Sequence, residues 1–143
     1  MTEVAFHFNA PDKLAYACRF ARKLARGNLR LAITGAQSLL DTLDARLWSM
    51  EPSDFVAHCR GDSPVQLLVA SPVVLTPDPR QGGHHDVLLN LGDDVPLGFG
   101  SYQRLVEVVS ADDPQDRERA RARWRHYAQR GYAIVRHDLV LKN

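Results

Sequence analysis

Arginines and a tryptophan share the stretch from Asp112 to Gly131, DDPQDRERARARWRHYAQRG, which is the part of the chain best suited to recognition chemistry. Placed on a helix at steps of about 100°, these side chains form two neighbouring sectors, with Trp124 on the border between them. The cationic sector holds Arg117, Arg121, Arg125 and Ala128, and the apolar sector holds Ala120, Trp124 and Tyr127. Arginine forks beside a large aromatic edge suit an acidic peptide that ends in a hydrophobic residue and a free carboxylate. Taken alone, the stretch favours the alternative of a solvated helix with intrahelical ion pairs and Trp124 in the core.

The ends of this helix are also marked in the sequence. Asp113 is a suitable N-cap, and Pro114 stands where a first-turn proline is tolerated. The carboxylate of Asp116 falls near the helix N-terminus, where negative charge is favoured. Gly131 stands where a glycine stops a helix. We therefore predict one helix within this stretch.

A second group of bulky apolar residues follows an earlier predicted helix. Trp48, Met50 and Phe55 stand in or beside a loop that contains Pro52. Trp48 falls about 100° past Leu47 and therefore outside the apolar stripe of that helix. These residues form either a satellite cluster under the loop, which the sequence favours, or an exposed aromatic patch for a protein partner.

The two cysteines give little support for nucleophilic catalysis. Cys18 lies on the apolar face of a predicted helix, which favours a packed thiol. Cys59 stands beside His58, but neighbours in sequence seldom point at each other, and no third orienting residue is evident. We predict no catalytic residue and keep a small enzyme with a site around Cys59, His58 and His137 as an alternative.

Motifs for metals and phosphates are weak or missing. His84, His85 and Asp86 follow one another in a loop, whereas a metal site needs ligands that converge from several elements. The first strand-to-helix turn, residues 9–12 (NAPD), contains no glycine, so it matches neither the dinucleotide fingerprint nor a phosphate loop. We therefore expect no metal and no cofactor. An α/β domain without phosphate-binding turns is more typical of a binding module.

Length and composition indicate one soluble globular domain, which we place at residues 1–143. The chain has a formal net charge of +1, with 45% hydrophobic and 24% charged residues. This near-neutral balance argues against a protein that wraps nucleic acid, so any positive patch must be local. The start MTEVAFHF lacks a signal peptide's features, no segment is long enough to span a membrane, and the cysteines form no disulfide framework. We expect a cytoplasmic protein.

Hydrophobic periodicity predicts strands that alternate with helices. The predicted strands are Val4–Phe8, Leu29–Thr34, Val65–Ala70 with Val73–Leu75 as its ragged continuation, Asp86–Leu91, Leu105–Val109 and Tyr132–Asp138. Helices are predicted from Leu14 to Ala25, from Ala36 to Leu47 and in the arginine-rich stretch. This order predicts a three-layer α/β/α fold with a mostly parallel open sheet, Rossmann-like but without a phosphate-binding loop. The crossover rule does not fix the strand order, and residues 76–85, rich in proline and glycine, are predicted to form a mobile loop.

Three segments carry a resemblance to a known family. Leu47-Trp48 followed by FVAH at residues 55–58 resembles an LW…F-V-P-H segment, with Ala57 where proline is usual. DVLLNL at residues 86–91 resembles a central strand, and EVV at 107–109 with RARWRHY at 121–127 and Gly131-Tyr132 resembles a C-terminal signature. In this order and spacing, over nearly the whole chain, they resemble the chi subunit family of bacterial DNA polymerase III, accessory proteins of the clamp-loader complex.

The resemblance implies a non-enzymatic adaptor in DNA replication, with nucleotidyl transfer in another subunit of the holoenzyme. Members of this family bind the acidic C-terminal tail of single-stranded-DNA-binding protein, which ends with aspartates, a proline and a terminal phenylalanine. The family's tail-binding residues fall on Arg117, Arg121 and Trp124, where arginine replaces the usual lysine and tryptophan the usual tyrosine. Arg125 shares their sector and is included in the predicted site.

The resemblance also implies a second partner, the psi subunit, which connects to the clamp loader. Its aromatic contacts fall on Trp48 and Phe55, and we place Met50 with them. DNA is then reached mainly through the single-stranded-DNA-binding protein. The rival hypothesis is direct nucleic-acid binding through the Arg117–Arg130 helix, against which the acidic residues Asp112, Asp113, Asp116 and Glu118 count.

Overall fold

A computed structural model describes residues 1–50 and 56–142, in which seven strands form one all-parallel sheet. The strands are β1 (Glu3–Ala10), β2 (Leu31–Thr34), β3 (His58–Arg60), β4 (Val73–Leu75), β5 (Val87–Asn90), β6 (Arg104–Ser110) and β7 (Ile134–Asp138). The helices are α1 (Lys13–Arg26), α2 (Gln37–Trp48), α3 (Val65–Ala70) and α4 (Pro114–Gln129), with 3-10 turns at Pro79–Gln81, Phe99–Ser101 and Leu139–Lys142. Along the sheet the strand order is β3-β4-β2-β5-β6-β1-β7.

Alternate side chains of each strand point to opposite faces of the sheet, and in the central strands they are apolar on both faces. Helices therefore cover both faces. In β2, Leu31 and Ile33 pack in the core under α1 and α2, whereas Ala32 belongs to the core under α4. The predicted three-layer α/β/α arrangement is therefore confirmed. In the described ranges no helix combines the length and the apolar character needed to cross a membrane.

The prediction for residues 65–70 is wrong, because Val65–Ala70 is the helix α3 and not a strand. Pro64 precedes it with a φ of −55°, and its carbonyl accepts the N–H groups of Leu67 and Leu68. This helix lies between β3, which the sequence analysis missed, and β4, which was predicted only as a continuation. Adjacent parallel strands need a crossover between them, and α3 belongs to that connection.

The two edges of the sheet are β3 and β7. Six spacings of about 4.8 Å separate them, so they lie about 29 Å apart. The interior strand β1 pairs with β6 on one side and with β7 on the other. In the segment 76–85, the side chains of Thr76 and Pro79 are buried, and the mobility predicted there stays a prediction.

Candidate functional site

The helix α4 begins and ends where the sequence indicates. The Asp113 carboxylate caps its start by accepting the N–H groups of Gln115 and Asp116 at 3.0 and 3.2 Å. Pro114 is the first residue of the helix, and Gly131, with a φ of 81°, follows its end. A positive φ of this kind favours glycine, so the predicted boundaries are confirmed.

A buried polar network attaches α4 to the sheet. Glu107 in β6 is fully buried, and its carboxylate accepts the Nε of Arg123 at 3.0 Å and the hydroxyl of Tyr127 at 2.5 Å. Asn90 in β5 donates to both carboxylate oxygens at 3.0 and 3.2 Å. Arg123 also donates to the Asp93 carbonyl at 2.7 Å. Complete burial raises the pKa of Glu107, while Arg123 and the two hydrogen-bond donors act in the opposite direction.

Asp116 makes a second attachment at the first turn of α4. Its carboxylate accepts the Ser110 N–H at 2.8 Å and lies 3.1 Å from the Lys13 ammonium. Burial alone raises the pKa of Asp116, but the Ser110 N–H and the Lys13 charge outweigh it, so this pKa lies below its ordinary value. The sheet-facing side of α4 is therefore attached to the sheet by two separate sets of polar contacts.

A hollow of about 240 Å³ opens beside Trp124, between α4 and the sheet; we refer to it as the Trp124 hollow. Its apolar lining consists of Phe6, Phe8, Val109, Ala120 and Trp124. The rings of Phe6 and Trp124 pack at 5.0 Å between centroids. An engineered apolar cavity of about 150 Å³ is large enough to hold benzene, so this hollow has room for one aromatic side chain.

Three arginines line the same hollow. The Nη1 of Arg117 donates to the Ala111 carbonyl at 2.7 Å, which fixes that guanidinium group. Arg121 is exposed and makes an ion pair of 3.1 Å with Glu118, one turn earlier. The guanidinium of Arg136 in β7 lies 5.3 Å from the centre of the Phe8 ring. The arrangement can therefore receive an apolar group inside and an anion at its margin.

A second hollow, of about 360 Å³, adjoins the first, and we refer to it as the outer hollow. The outer hollow is lined by Arg121, Trp124, Arg125 and Arg136. All of these except Arg125 also line the Trp124 hollow. All four residues predicted for the arginine-rich helix, Arg117, Arg121, Trp124 and Arg125, therefore come together on one surface.

Arg136, Phe6 and Phe8 also belong to this surface, although none of them was predicted from the sequence. Phe6 pairs in register with Arg136 across β1 and β7, so both side chains point to the α4 side of the sheet. Side chains alternate between the two faces of the sheet along β7, and this alternation could have indicated which residues share a face with Arg136. The sequence could not indicate that Arg136 lies near α4, because that depends on β7 lying beside β1.

The second predicted patch lies elsewhere on the molecule. Trp48, at the end of α2, is 62% exposed, and its ring centroid lies 5.0 Å from that of His58 in the edge strand β3. Met50 is half-buried against the core below α2. Phe55 lies outside the described residues. The α2 helix is on the opposite face of the sheet from α4, so the two surfaces are separate.

The proposed catalytic alternative around Cys59, His58 and His137 is wrong as a single site. Cys59 and His58 are in β3, His137 is in β7, and these strands are the two edges of the sheet. His58 is hydrogen-bonded through Nδ1 to the Val56 carbonyl at 2.8 Å and through Nε2 to Asp44 at 2.9 Å. The Cys59 thiol instead lies 3.7 Å from the Leu67 carbonyl.

The other residues considered as nucleophiles or metal ligands, Cys18 and His84, are both engaged in packing or hydrogen bonding. Cys18 packs partly against the core, and burial raises the pKa of its thiol. His84 is buried, and its Nδ1 accepts the Asp86 N–H at 3.0 Å, so this ring folds back onto its own loop. Within residues 1–50 and 56–142, no group of three His, Cys, Asp or Glu side chains is arranged to hold a metal ion.

Comparisons with known proteins agree on one family. The family model described as DNA polymerase III chi subunit, HolC, matches residues 1–135. A protein of Pseudomonas aeruginosa named DNA polymerase III subunit chi is 30% identical over 97% of this chain and 98% of its own length. A protein of the same name from Haemophilus influenzae is 27% identical over 82% of this chain and 81% of its own length. The chain therefore belongs to the family of DNA polymerase III chi subunits, which are accessory subunits in DNA replication.

Proposed function

We propose that this chain links the clamp loader of DNA polymerase III to single-stranded-DNA-binding protein by binding the acidic C-terminal tail of that protein. The observation that carries the proposal is the Trp124 hollow, an apolar space with arginines at its margin. A peptide that ends in phenylalanine has a phenyl ring for the hollow and a free carboxylate for the guanidinium groups. Its upstream aspartates then meet Arg125 and Arg136 around the outer hollow.

The contribution of one arginine sets the size of the effect. A hydrogen bond to a charged group contributes about 1.5–3 kcal/mol. The Arg121 side chain is 67% exposed and must give up part of its ion pair with Glu118, so we expect a value near the lower limit. Replacing Arg121 by alanine is then expected to weaken tail binding roughly tenfold.

The experiment is a titration of the full chain with a labelled tail peptide that ends in phenylalanine and a free carboxylate. The intact protein is compared with Arg121→Ala and with Arg130→Ala, an exposed arginine on the same helical segment that lines neither hollow. Only Arg121→Ala should lose affinity. Amidation of the peptide C-terminus should weaken binding to the intact protein, and raising the salt concentration should do the same.

Two results would contradict the proposal. Equal affinities of the intact protein and Arg121→Ala would remove Arg121 from the site. Binding of bare single-stranded oligonucleotide that depends on Arg121, without any affinity for the peptide, would favour the rival hypothesis of direct nucleic-acid binding by α4.

The adaptor role also needs a second surface, and we infer that a psi subunit or another protein binds around Trp48, with Met50 and Phe55. The exposed indole of Trp48 supports this assignment. Trp48→Ala should leave tail binding unchanged, because Trp48 lies on the face of the sheet opposite α4. The whole chain then acts in the cytoplasm as one non-catalytic domain, and nucleotidyl transfer takes place in another subunit.

A further inference from the structure

The helix α1 is strongly basic, although the chain as a whole is nearly neutral. It carries five cations, Lys13, Arg19, Arg22, Lys23 and Arg26, and no acidic residue. The formal net charge of the chain is +1, so the rest of the molecule is net acidic. Lys13 is neutralised by its ion pair with Asp116 of α4, but α1 itself packs on the sheet face opposite α4, and the tail-binding proposal uses none of its other four cations.

A cavity of about 560 Å³ lies along α1, at the side of the sheet where β1 and β7 pair. Its charged lining residues are Arg19, Lys23 and Arg104, and no aspartate or glutamate is among the described residues that line it. None of these three cations makes an ion pair within the described part of the chain. Glu3 pairs in register with Arg104 but does not line the cavity. The cavity is therefore an electropositive site of the size that binds small molecules.

An aromatic ring stands among these cations. The guanidinium of Arg19 lies 5.7 Å from the centre of the Tyr16 ring, which is half-buried and lines the cavity. Tyr16 stacks on Phe20 at 6.0 Å and 26°, and its hydroxyl is hydrogen-bonded to Nδ1 of His7 at 2.5 Å. The Tyr16 ring is therefore held in place by the Phe20 ring and by the hydrogen bond of its hydroxyl group to His7.

We propose that the surface formed by Arg19, Lys23 and Arg104 around Tyr16 binds the phosphate backbone of single-stranded nucleic acid. Arg19 and Lys23 are separated by one helical turn, about 6 Å along the axis, so they form a row that a chain of phosphates can follow. Cations beside an aromatic platform are the combination that binds single strands without sequence preference, because every base has a face that can stack. An acidic protein segment needs the charges but not the ring, and we therefore favour nucleic acid. This inference goes beyond tail binding and leaves the Trp124 hollow accessible.

The experiment measures fluorescence anisotropy of a labelled single-stranded oligothymidine with the full chain, at several salt concentrations. The test variant is Arg19→Gln/Lys23→Gln, and the control Arg80→Gln/Arg130→Gln removes the same charge from two exposed arginines that do not line the α1 cavity. The test variant should lose at least tenfold in affinity. The slope of log K against log salt should become less negative by about 1.4, because each single-strand phosphate contact contributes about 0.7. The control should keep both values.

The role of the Tyr16 ring is tested with Tyr16→Leu, which should lower the affinity for oligothymidine about fivefold or more without changing the salt slope. Tyr16→Phe keeps the ring and should keep the affinity.

Equal losses of affinity in the test and control pairs would overturn the proposal, because only the total charge would then matter. Absence of oligothymidine binding, or tighter binding of polyglutamate through Arg19 and Lys23, would also overturn it. Tail-peptide affinity should be unchanged in every α1 variant, so that this result and the tail-binding result are independent.

Discussion

Replacing Arg123 by methionine should destabilise the protein through the carboxylate that it leaves behind. Arg123 is 2% exposed, and its Nε donates to the fully buried Glu107 at 3.0 Å. Methionine fills a similar volume but supplies neither charge nor hydrogen bond. Glu107 would then be a buried carboxylate without its cation, in a position where water cannot reach it.

The structure sets the expected magnitude. Removing one partner of a buried ion pair typically costs about 3–5 kcal/mol. Glu107 keeps the Tyr127 hydroxyl and the Asn90 amide as donors, so we expect the lower limit, about 3 kcal/mol in the free energy of unfolding. For a chain of this length that corresponds to a decrease in Tm of roughly 10 °C.

The assay is urea unfolding of four proteins, the intact chain, Arg123→Met, Glu107→Gln and the double variant. Glutamine at position 107 keeps an acceptor for Tyr127 but carries no charge. In that background Arg123 is itself a buried charge without its carboxylate, so the Arg123→Met change should cost about 1 kcal/mol at most. The expected coupling is therefore about 2 kcal/mol or more.

If Arg123→Met lowers the free energy of unfolding equally in the intact chain and in Glu107→Gln, the unpaired carboxylate is not the cause of the destabilisation. The destabilisation would then come from lost packing of the arginine side chain and not from the unpaired carboxylate. An Arg123→Met protein as stable as the intact chain would refute this reasoning more directly, since the ion pair would then contribute nothing to the attachment of α4.

Two further predictions concern the surface of α4 and its first turn. Arg136→Ala should weaken tail-peptide binding about two- to fivefold with an unchanged Tm, because Arg136 borders both hollows and is exposed, and unchanged affinity would remove it from the site. Asp116→Asn should cost about 1.5–3 kcal/mol between pH 5 and 8, because Ser110 and Lys13 favour the carboxylate. Since the pKa of Asp116 is lower in the folded protein than in the unfolded chain, this difference should shrink as the pH falls below about 4, and a difference at pH 3 as large as the one at pH 7 in urea titrations would contradict the assignment.

Local signals in the sequence were sufficient where a few neighbouring residues decide the structure. Asp113, Pro114 and Gly131 mark the ends of α4 because capping and the first-turn proline depend only on adjacent backbone groups. The alternation of strands and helices likewise follows from apolar periodicity. It was enough to predict a parallel sheet between two helical layers.

The segment Val65–Ala70 was mistaken for a strand because its two valines favour strands and because a short apolar run is also typical of a buried strand. The structure leaves Val65, Leu67 and Val69 exposed on α3, so burial does not explain their type. What decides the helix is position in the chain, since β3 and β4 are parallel neighbours and need a crossover between them. That requirement depends on β3, which has only three residues and no clear signal.

The residues missed around the candidate site depend on long-range order. Arg136 reaches α4 only because β7 pairs with β1, and strand order is not fixed by local pattern. Glu107 stands in the apolar run LVEVV, so its need for a buried partner could have been predicted from the sequence, although it was not. Only the packing of α4 over the sheet identifies Arg123 as that partner.

The strand order also bears on whether one small domain can serve as an adaptor. Its two proposed protein-binding surfaces, around Trp124 and around Trp48, lie on opposite faces of the sheet and toward its opposite edges, which are about 29 Å apart. A peptide seated beside Trp124 therefore contacts no residue near Trp48, and each partner can bind without displacing the other. The two surfaces are joined by a parallel sheet whose strands are buried on both faces, and a rigid connection of this kind keeps two partners at a fixed separation. Trp48 is the last residue of α2 and Trp124 lies within α4, and the sheet holds these two helices apart.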